Sequence, residues 1–190
     1  MLGKLELVIG PMFSGKSTFL IKKIRMMIED KLKVLVLKPQ IDNRYSDNNI
    51  TTHNMEMESC YIITNLIDIK YNINEFDCII IDEGQFIPDL KETVLLWLEK
   101  YNKHIIIAGL DGDFKRDPIG DILSLIPYAD EIYKLKASCN ECKKDNALFT
   151  FRLVNSDDVI LVGGSDMYIP LCREHYIKMQ NINNMKSKIL

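Results

Sequence analysis

Four short apolar runs recur along the first 110 residues of the chain. They occupy residues 5–9, 33–37, 76–81 and 104–108, and most of their positions are aliphatic. A run of this length without polar alternation is typical of a strand that is covered on both faces. The pattern therefore predicts four buried strands.

Two stretches between these runs have helical spacing. Residues 17–30 carry Leu20, Ile24 and Met27 at this spacing, and residues 88–101 repeat the pattern. Strands buried on both faces that alternate with amphipathic helices are typical of a parallel sheet with helices packed against it. The sequence therefore predicts an α/β fold.

The rest of the chain follows a different rhythm. Residues 40–57 are rich in Asn and Asp and predict a long loop, whereas residues 119–126 predict a short helix and residues 131–137 a further strand. We place a boundary near residue 135. This divides the chain into a domain at 1–135, a smaller domain at 136–180 and a tail at 181–190 that we expect to be mobile.

Composition narrows the class of protein. The 190 residues are 47% hydrophobic and 27% charged, as expected for a chain that buries a core. A formal net charge of −3, from 24 basic and 27 acidic residues, argues against a general nucleic-acid coat protein. No apolar run reaches the roughly 18 residues that span a bilayer. We expect a cytoplasmic protein with neither a membrane nor a nucleic-acid partner.

The strongest motif is a phosphate loop between the first strand and the first helix. It fits the pattern G-x-x-x-x-G-K-[ST] and consists of Gly10, Pro11, Met12, Phe13, Ser14, Gly15, Lys16 and Ser17. Its glycines let successive backbone N–H groups turn toward phosphate oxygens, and the helix that follows adds its positive end. Lys16 is expected to reach the β- and γ-phosphates of ATP, and Ser17 to ligate Mg²⁺.

An acidic pair ends the third apolar run. Asp82 and Glu83 follow Ile81, at the edge of the sheet where the phosphate loop is expected. Asp82 is predicted to hold the Mg²⁺ shell. Glu83 is then available either to activate water for hydrolysis or to accept a proton from an acceptor hydroxyl.

Four residues near the end of the chain have metal-ligand spacing. Cys139 and Cys142 form a C-x-x-C pair, and after 29 residues Cys172 and His175 form a second pair. Thiolate and imidazole ligands suit a tetrahedral zinc, and four protein ligands leave no open position, so we predict a structural zinc. A redox disulfide between Cys139 and Cys142 is the alternative.

Together these motifs resemble one family closely. The matching segments are GPMFSGKST at 10–18, IDNRY at 41–45, IDEGQF at 81–86, LDGDF at 110–114, CNEC at 139–142, GGSDMY at 163–168 and CREH at 172–175. In this order they are similar to the zinc-containing thymidine kinases of cellular, poxviral and bacterial type, over roughly residues 5–178. The resemblance implies a RecA-like P-loop sheet with helices on both faces, plus a small zinc domain whose lasso loop lies over the nucleoside.

The resemblance also implies roles for single residues. It adds Asp42, Asn43, Arg44, Gly84 and Gln85, together with Asp82 and Glu83, to the ATP and Mg²⁺ site, and makes Glu83 the base for the 5′-hydroxyl of the nucleoside. The residues implied around the base and sugar are Met12, Phe86, Leu110, Phe114, Thr150 and Tyr168, with the lasso backbone of Val159, Ile160, Leu161, Val162 and Gly163 reading the pyrimidine edge.

The sequence also departs from the family pattern. Asp113 and Asp117 lie where relatives often carry Thr and Lys, so Lys115 and Arg116 are the candidates for phosphate contacts in that loop. Ile119 replaces a common Phe, which affects the tightness of the base site. His175 replaces a common Cys, a mild change because both residues ligate zinc.

The predicted function is a thymidine kinase that converts thymidine, and deoxyuridine with it, to the monophosphate at the expense of ATP. The resemblance further implies feedback inhibition by thymidine triphosphate and assembly as a homotetramer. Two alternatives use the same motifs. One is a P-loop ATPase motor or switch in which Glu83 polarises water, and the other is a non-catalytic zinc module, which the intact phosphate loop disfavours.

Overall fold

The computed structural model describes residues 2–40, 49–51, 57–156, 158, 161 and 163–186. Its central element is a sheet of six parallel strands, which carry the apolar runs seen in the sequence. In chain order the strands are β1 (Lys4–Ile9), β2 (Val34–Pro39), β5 (Tyr61–Ile63), β6 (Cys78–Ile81), β7 (His104–Gly109) and β8 (Glu131–Lys134). Their order across the sheet is β5-β2-β6-β7-β1-β8.

Two helices cover the two faces of this sheet. Helix α1 (Lys16–Glu29) buries Leu20, Ile21 and Ile24 against the side chains of one face. Helix α2 (Leu90–Glu99) buries Val94 and Trp97 against the other face. The predicted α/β class, with a parallel sheet between helices, is confirmed.

The loop and helix expectations outside the four central strands need adjustment. Strands β3 (Asn49–Thr51) and β4 (Met57–Ser59) pair antiparallel, so a hairpin occupies part of the segment expected to be a loop. The helix expected at 119–126 is a 3₁₀ helix at Ile122–Tyr128, and Pro127 lies inside it. Proline lacks the N–H that continued α-helical hydrogen bonding requires.

A smaller unit follows the sheet, and we call its described residues from 136 to 186 the hairpin unit. Strands β9 (Phe149–Arg152) and β10 (Tyr168–Leu171) pair antiparallel, and helix α3 (Arg173–Lys186) packs against them. Its small core includes Cys139, Phe151 and Tyr176. Helix α3 extends into the segment predicted to be a mobile tail. The connection at 153–167, between β9 and β10, corresponds to the predicted lasso.

One ionised side chain is buried inside the sheet at the amino ends of its strands. Glu6 is 1% exposed, and its carboxylate accepts from Lys23 at 2.9 Å, from Lys4 at 3.0 Å and from His104 at 2.9 Å. Burial disfavours the carboxylate, but these hydrogen-bonded partners outweigh burial and lower the pKa of Glu6 from 4.5 to about 2. This charge cluster stabilises the end of the sheet opposite to the phosphate loop.

No helix in the part of the chain that the structure describes is long and apolar enough to cross a membrane.

Candidate active site

The phosphate loop lies between β1 and α1, as the sequence predicts. Gly15 caps the helix with a left-handed backbone, φ 81° and ψ 22°, which glycine adopts without strain. Phe13 is also left-handed, with φ 64°. These two reversals turn the chain sharply between Ile9 and Lys16 and direct the loop around the start of the helix.

The Lys16 side chain folds back over the loop. It is 7% exposed, and its Nζ donates to the carbonyl oxygen of Pro11 at 2.8 Å and to that of Gly10 at 3.3 Å. Among the described residues, the buried Ser14 Oγ has no hydrogen-bond partner. A buried hydroxyl without a partner is costly, and the oxygen of an anion held in the loop would supply one.

Ser17 and Asp82 bring oxygen atoms together beside the loop. Ser17 Oγ donates to Asp82 Oδ2 at 3.2 Å, and Asp82 is 3% exposed at the carboxyl end of β6. The other oxygen, Asp82 Oδ1, accepts from the backbone N–H of Glu83 at 3.0 Å, which fixes the carboxylate. A hydroxyl and a carboxylate are the kind of oxygen ligands that Mg²⁺ takes in nucleotide sites.

Glu83 is held by its neighbour Gln85. The Gln85 amide donates to Glu83 Oε2 at 2.7 Å, while its Oε1 accepts from the backbone N–H of Leu110 at 3.0 Å. Gln85 therefore connects the acid after β6 to the loop after β7. This arrangement needs glycine on two sides, because a Cβ would lie 2.4 Å from Gln85 Oε1 at Gly109 and 2.0 Å from Gln85 O at Gly120.

The hairpin unit contacts the phosphate loop directly. The Met12 backbone N–H donates to Thr150 Oγ1 at 3.0 Å, and Phe13 packs against the core of the hairpin unit. Thr150 lies on β9 opposite Pro170 of β10. Met12 and Thr150, both predicted nucleoside residues, are thus brought together at the edge of the phosphate loop.

Other predicted nucleoside residues lie around this junction. Tyr168 is buried on β10, and its hydroxyl donates to the Leu161 carbonyl oxygen at 2.8 Å. Phe114 lies in the loop after β7, and its carbonyl oxygen accepts from the Tyr176 hydroxyl at 2.7 Å. Gly163 lies in the lasso, where a Cβ would meet Met167 Sδ at 2.1 Å.

A cleft of about 360 Å³ lies next to Gln85. Phe86, which follows Gln85 in a 3₁₀ turn at Gly84–Phe86, lines it together with the buried Ile119. Ile119, which stands where the family pattern commonly has Phe, therefore lines the cleft together with Phe86, a predicted nucleoside residue.

Asp113 stabilises the conformation of the acidic loop after β7. Its Oδ1 accepts from the backbone N–H groups of Lys115 at 2.7 Å and of Asp117 at 2.9 Å. The buried carboxylate therefore shapes its own loop. Lys115 and Asp117 are exposed, and Arg116 lies with its Cζ 4.5 Å from the ring centroid of Tyr176.

Several predicted residues lie outside the described part of the chain. They are Asp42, Asn43 and Arg44 of the predicted ATP site, and Val159, Ile160 and Val162 of the lasso.

Sequence reasoning did not single out Arg152. It is 5% exposed at the end of β9, with its guanidinium against Phe114 and the lasso. Its position two residues after Thr150 on one strand places both side chains on the same face, which is a signal that the sequence offered.

The four predicted metal ligands converge. Their ligand atoms, three Sγ and one imidazole nitrogen, all lie within 4.8 Å of one another. His175 Nδ1 is 3.1 Å from Cys172 Sγ and 3.6 Å from Cys139 Sγ. With Zn–S near 2.3 Å and Zn–N near 2.0 Å, separations of this size suit a tetrahedral zinc.

The surroundings of Cys139 favour its ligand form. Burial opposes a thiolate there, but backbone N–H groups of Cys142, Cys172 and Glu141 donate toward the sulfur and lower the pKa of Cys139 to about 6. The thiolate is the form that binds zinc. Burial and the neighbouring Cys139 raise the pKa of Cys172, so the convergence of the four ligands, and not the charge of the thiols, makes the cluster compatible with a zinc site.

Comparison with known proteins agrees with the motifs. The family model described as thymidine kinase matches residues 3–176. Thymidine kinase a of Arabidopsis thaliana is 38% identical over 99% of this chain and 81% of its own. The thymidine kinase of monkeypox virus is 41% identical over 92% of this chain and 97% of its own, and thymidine kinase 1 of Dictyostelium discoideum is 40% identical over 96% and 81%. The chain therefore belongs to the thymidine kinase family.

Proposed function

We propose that the protein transfers the γ-phosphoryl group of ATP to the 5′-hydroxyl of thymidine, and of deoxyuridine with it, to give the monophosphate. The observation that carries the proposal is the direct contact between the phosphate loop and the hairpin unit. The phosphate loop lies beside the hairpin unit, where the Met12 N–H donates to the Thr150 hydroxyl. Glu83 directly follows Asp82, whose carboxylate accepts from Ser17 at the end of the phosphate loop. A nucleoside at this junction would have its 5′-hydroxyl next to the bound triphosphate.

The phosphate half positions the transferred group. Lys16, now bonded to carbonyl oxygens of the loop, would exchange these contacts for β- and γ-phosphate oxygens, and the loop N–H groups and Ser14 hydroxyl would donate to the same triphosphate. Ser17 and Asp82 would hold Mg²⁺, which neutralises negative charge on the phosphates when it is bound. Asp42, Asn43 and Arg44 complete this half on the strength of the family resemblance.

Glu83 is proposed as the general base. Its carboxylate follows directly after the Mg²⁺ residue Asp82, and the Gln85 amide holds Oε2 at 2.7 Å. Phosphoryl transfer mainly needs positioning and charge neutralisation, and the base takes the proton that the 5′-hydroxyl releases. Gly84 and Gln85 form the turn that keeps Glu83 at the end of β6.

The nucleoside half is formed by residues from both units. Phe86, Leu110 and Phe114 would contribute the sheet side, and Thr150, Tyr168 and the lasso would contribute the hairpin side. The lasso backbone from Val159 to Gly163 offers N–H and carbonyl groups to a pyrimidine edge. Zinc at Cys139, Cys142, Cys172 and His175 would be structural, since these four ligands complete a tetrahedron and bracket the lasso.

Further parts of the proposal rest on the family resemblance. Thymidine triphosphate would inhibit by placing its base in the nucleoside site and its phosphates in the phosphate loop. The protein would work as a homotetramer in the cytoplasm. A cluster of thiol ligands and the buried thiols of Cys60 and Cys78 suit a reducing compartment.

The test separates the kinase from an ATPase motor. Purified protein is given ATP and Mg²⁺, alone and with thymidine, deoxyuridine, deoxycytidine or deoxyguanosine. We expect little ATP consumption without nucleoside, and one monophosphate formed per ATP consumed with thymidine. Full-rate phosphate release without nucleoside, together with no thymidine monophosphate, would overturn the proposal. Inhibition that added thymidine relieves is the expected result for thymidine triphosphate.

A further inference from the structure

Arg152 is a buried cation between the lasso and the sheet unit, by which we mean the described residues before 136 that carry the six-stranded sheet. It ends β9, where its register partner on β10 is Tyr168, and only 5% of its surface is exposed. A charged side chain is costly to bury unless hydrogen-bond acceptors surround it. The partners of Arg152 therefore indicate what this residue holds in place.

Its guanidinium holds the lasso at several points. The Nη1 atom donates to the carbonyl oxygens of Asp158 at 2.5 Å and Ser156 at 3.2 Å. The Nη2 atom donates to the Tyr168 hydroxyl at 3.0 Å, which in turn donates to the Leu161 carbonyl oxygen at 2.8 Å. The Arg152 side chain thus links the lasso backbone at Ser156 and Asp158, and through the Tyr168 hydroxyl at Leu161, to the β9–β10 hairpin.

The same guanidinium lies against an aromatic ring from the sheet unit. Arg152 Cζ is 3.7 Å from the ring centroid of Phe114, a distance at which the cation stacks on the ring. The loop that carries Phe114 is also fixed by the Tyr176 hydroxyl, which donates to the Phe114 carbonyl oxygen. Arg152 therefore contacts Phe114 and Tyr168 directly and Leu161 through the Tyr168 hydroxyl.

These contacts require arginine. A guanidinium is planar, carries five donors in a fixed fork and stacks on rings, whereas a lysine ammonium is a compact point charge. Lysine at this position keeps the charge and reaches one carbonyl oxygen. It cannot bridge the Nη1 and Nη2 partners and cover the Phe114 ring at the same time.

We propose that Arg152 is a positioning residue for the nucleoside site, which fixes the lasso backbone, Tyr168 and Phe114 in one arrangement. Its guanidinium contacts lasso carbonyl oxygens, the Tyr168 hydroxyl and the Phe114 ring, so it would act on the nucleoside through the residues that it holds. The inference rests on the proposed function, because it assumes that these residues surround thymidine. It predicts that loss of the guanidinium weakens nucleoside binding and leaves ATP binding intact.

The experiment compares Arg152→Lys with the wild type in steady-state assays that vary thymidine and ATP separately. We expect the KM for thymidine to rise about tenfold or more, as for the loss of a charged hydrogen bond, while the KM for ATP stays within about twofold. A rise in KM with little change in kcat is the signature of lost uniform binding. Arg173→Lys is the matched control, because Arg173 is exposed and stacks on Phe149 with its Cζ 4.9 Å from the centroid.

A second variant makes the test independent of folding. Tyr168→Phe removes only the hydroxyl that relays Arg152 to Leu161, and we expect a smaller rise in the thymidine KM. In the double variant the two effects should be less than additive, because they break the same chain of contacts. If Arg152→Lys fails to fold by circular dichroism, Tyr168→Phe decides the question, and an unchanged thymidine KM in that variant overturns the inference.

The outcomes separate the two proposals. If the wild type makes no thymidine monophosphate, the proposed function fails. If the wild type is active and folded Arg152→Lys has the wild-type KM for thymidine, or raises both KM values equally, the proposed function stands and the positioning role is wrong. A selective rise that Arg173→Lys does not share supports the role.

Discussion

The phosphate half and the nucleoside half of the proposed site are built in different ways. The phosphate loop is one continuous segment between β1 and α1, completed by Asp82 and Glu83 at the end of β6. The nucleoside half is assembled from the loops after β6 and β7 and from the β9–β10 hairpin, which are far apart in the chain. The first half is held by the core of the sheet, whereas the second is held by polar contacts and four metal-ligand residues.

The two halves therefore depend on different kinds of structural support. A site held by a sheet with aliphatic layers on both faces keeps its geometry without a ligand. A small unit with a limited core needs a further constraint, such as a metal or a dense network of hydrogen bonds. A substitution in one half should therefore impair the binding function of that half more than that of the other.

The largest effect is expected from His175→Ala, which tests whether metal supports only the hairpin unit. Structural zinc sites contribute roughly 10 kcal/mol of binding free energy, so the variant should lose zinc, thymidine binding and the order of the hairpin unit together. ATP binding should survive, because the phosphate loop belongs to the sheet unit. Metal analysis measures zinc, equilibrium dialysis measures ATP and thymidine binding, and amide hydrogen exchange measures the order of the hairpin unit.

Cys60→Ala is the control for His175→Ala, since Cys60 is a buried thiol in the core between α1 and the sheet. It should retain the full zinc content. Folded His175→Ala protein with one zinc per chain would contradict the metal assignment. Unchanged behaviour of the wild type in reductant would exclude a disulfide between Cys139 and Cys142.

Glu83→Gln tests chemistry without disturbing either half. The substitution keeps the shape of the side chain but removes the proton acceptor, and general-base losses are about 10²- to 10⁴-fold, equal to about 3 to 5 kcal/mol in the barrier. The affinities for ATP and thymidine should change little. Single-turnover rates and binding constants measure the two effects, with the exposed Glu75 changed to Gln as the control. A variant that keeps its rate would remove Glu83 from the mechanism.

Glu6→Gln probes the support of the sheet unit. Because the folded pKa of Glu6 is lowered from 4.5 to about 2, its stabilisation is fully present above about pH 4.5 and is lost as the pH falls toward 2. We expect the variant to lose about 3 kcal/mol of unfolding free energy at neutral pH and the difference to shrink on acidification. Urea unfolding, followed by fluorescence of the buried Trp97, measures it at several pH values. A difference that is constant with pH would mean that the charge of Glu6 is not the cause.

Gln85→Met is expected to have the smallest effect, because it breaks only the link between Glu83 and Leu110. It removes the donor to Glu83 Oε2 and leaves the partly buried Leu110 N–H without its acceptor, which costs about 1 to 2 kcal/mol. We expect kcat to fall about tenfold. Gln85→Glu places a second carboxylate beside Glu83, and we expect it to lower kcat further than Gln85→Met does. A wild-type kcat in Gln85→Met would show that the amide does not position Glu83.

The phosphate half, which is mostly one continuous segment, was easier to predict from the sequence than the nucleoside half, which is assembled from distant segments. The β1–loop–α1 unit, the strand before Asp82 and the metal ligands are local patterns, in which spacing alone carries the chemistry. The contact between Met12 and Thr150 joins residues 138 positions apart, and no local pattern specifies such a pair. Arg152 shares a strand face with the predicted Thr150, but its contacts with Phe114, Ser156 and Asp158 could not be predicted from the sequence. The β3–β4 hairpin was missed because the Asn and Asp content of residues 40–57 indicated a loop and because each strand is only three residues long.

The bond between Met12 and Thr150 bears on how such a protein can be divided or recombined. A boundary at residue 135 looks suitable for exchanging the second unit between relatives, because few residues connect the units along the chain. Cutting there would remove the hydroxyl that accepts from a phosphate-loop amide and would uncover Phe13. The hairpin unit thus supplies one hydrogen bond to the phosphate loop, and a chimera would keep this bond only when the donor hairpin has a hydroxyl in the place of Thr150.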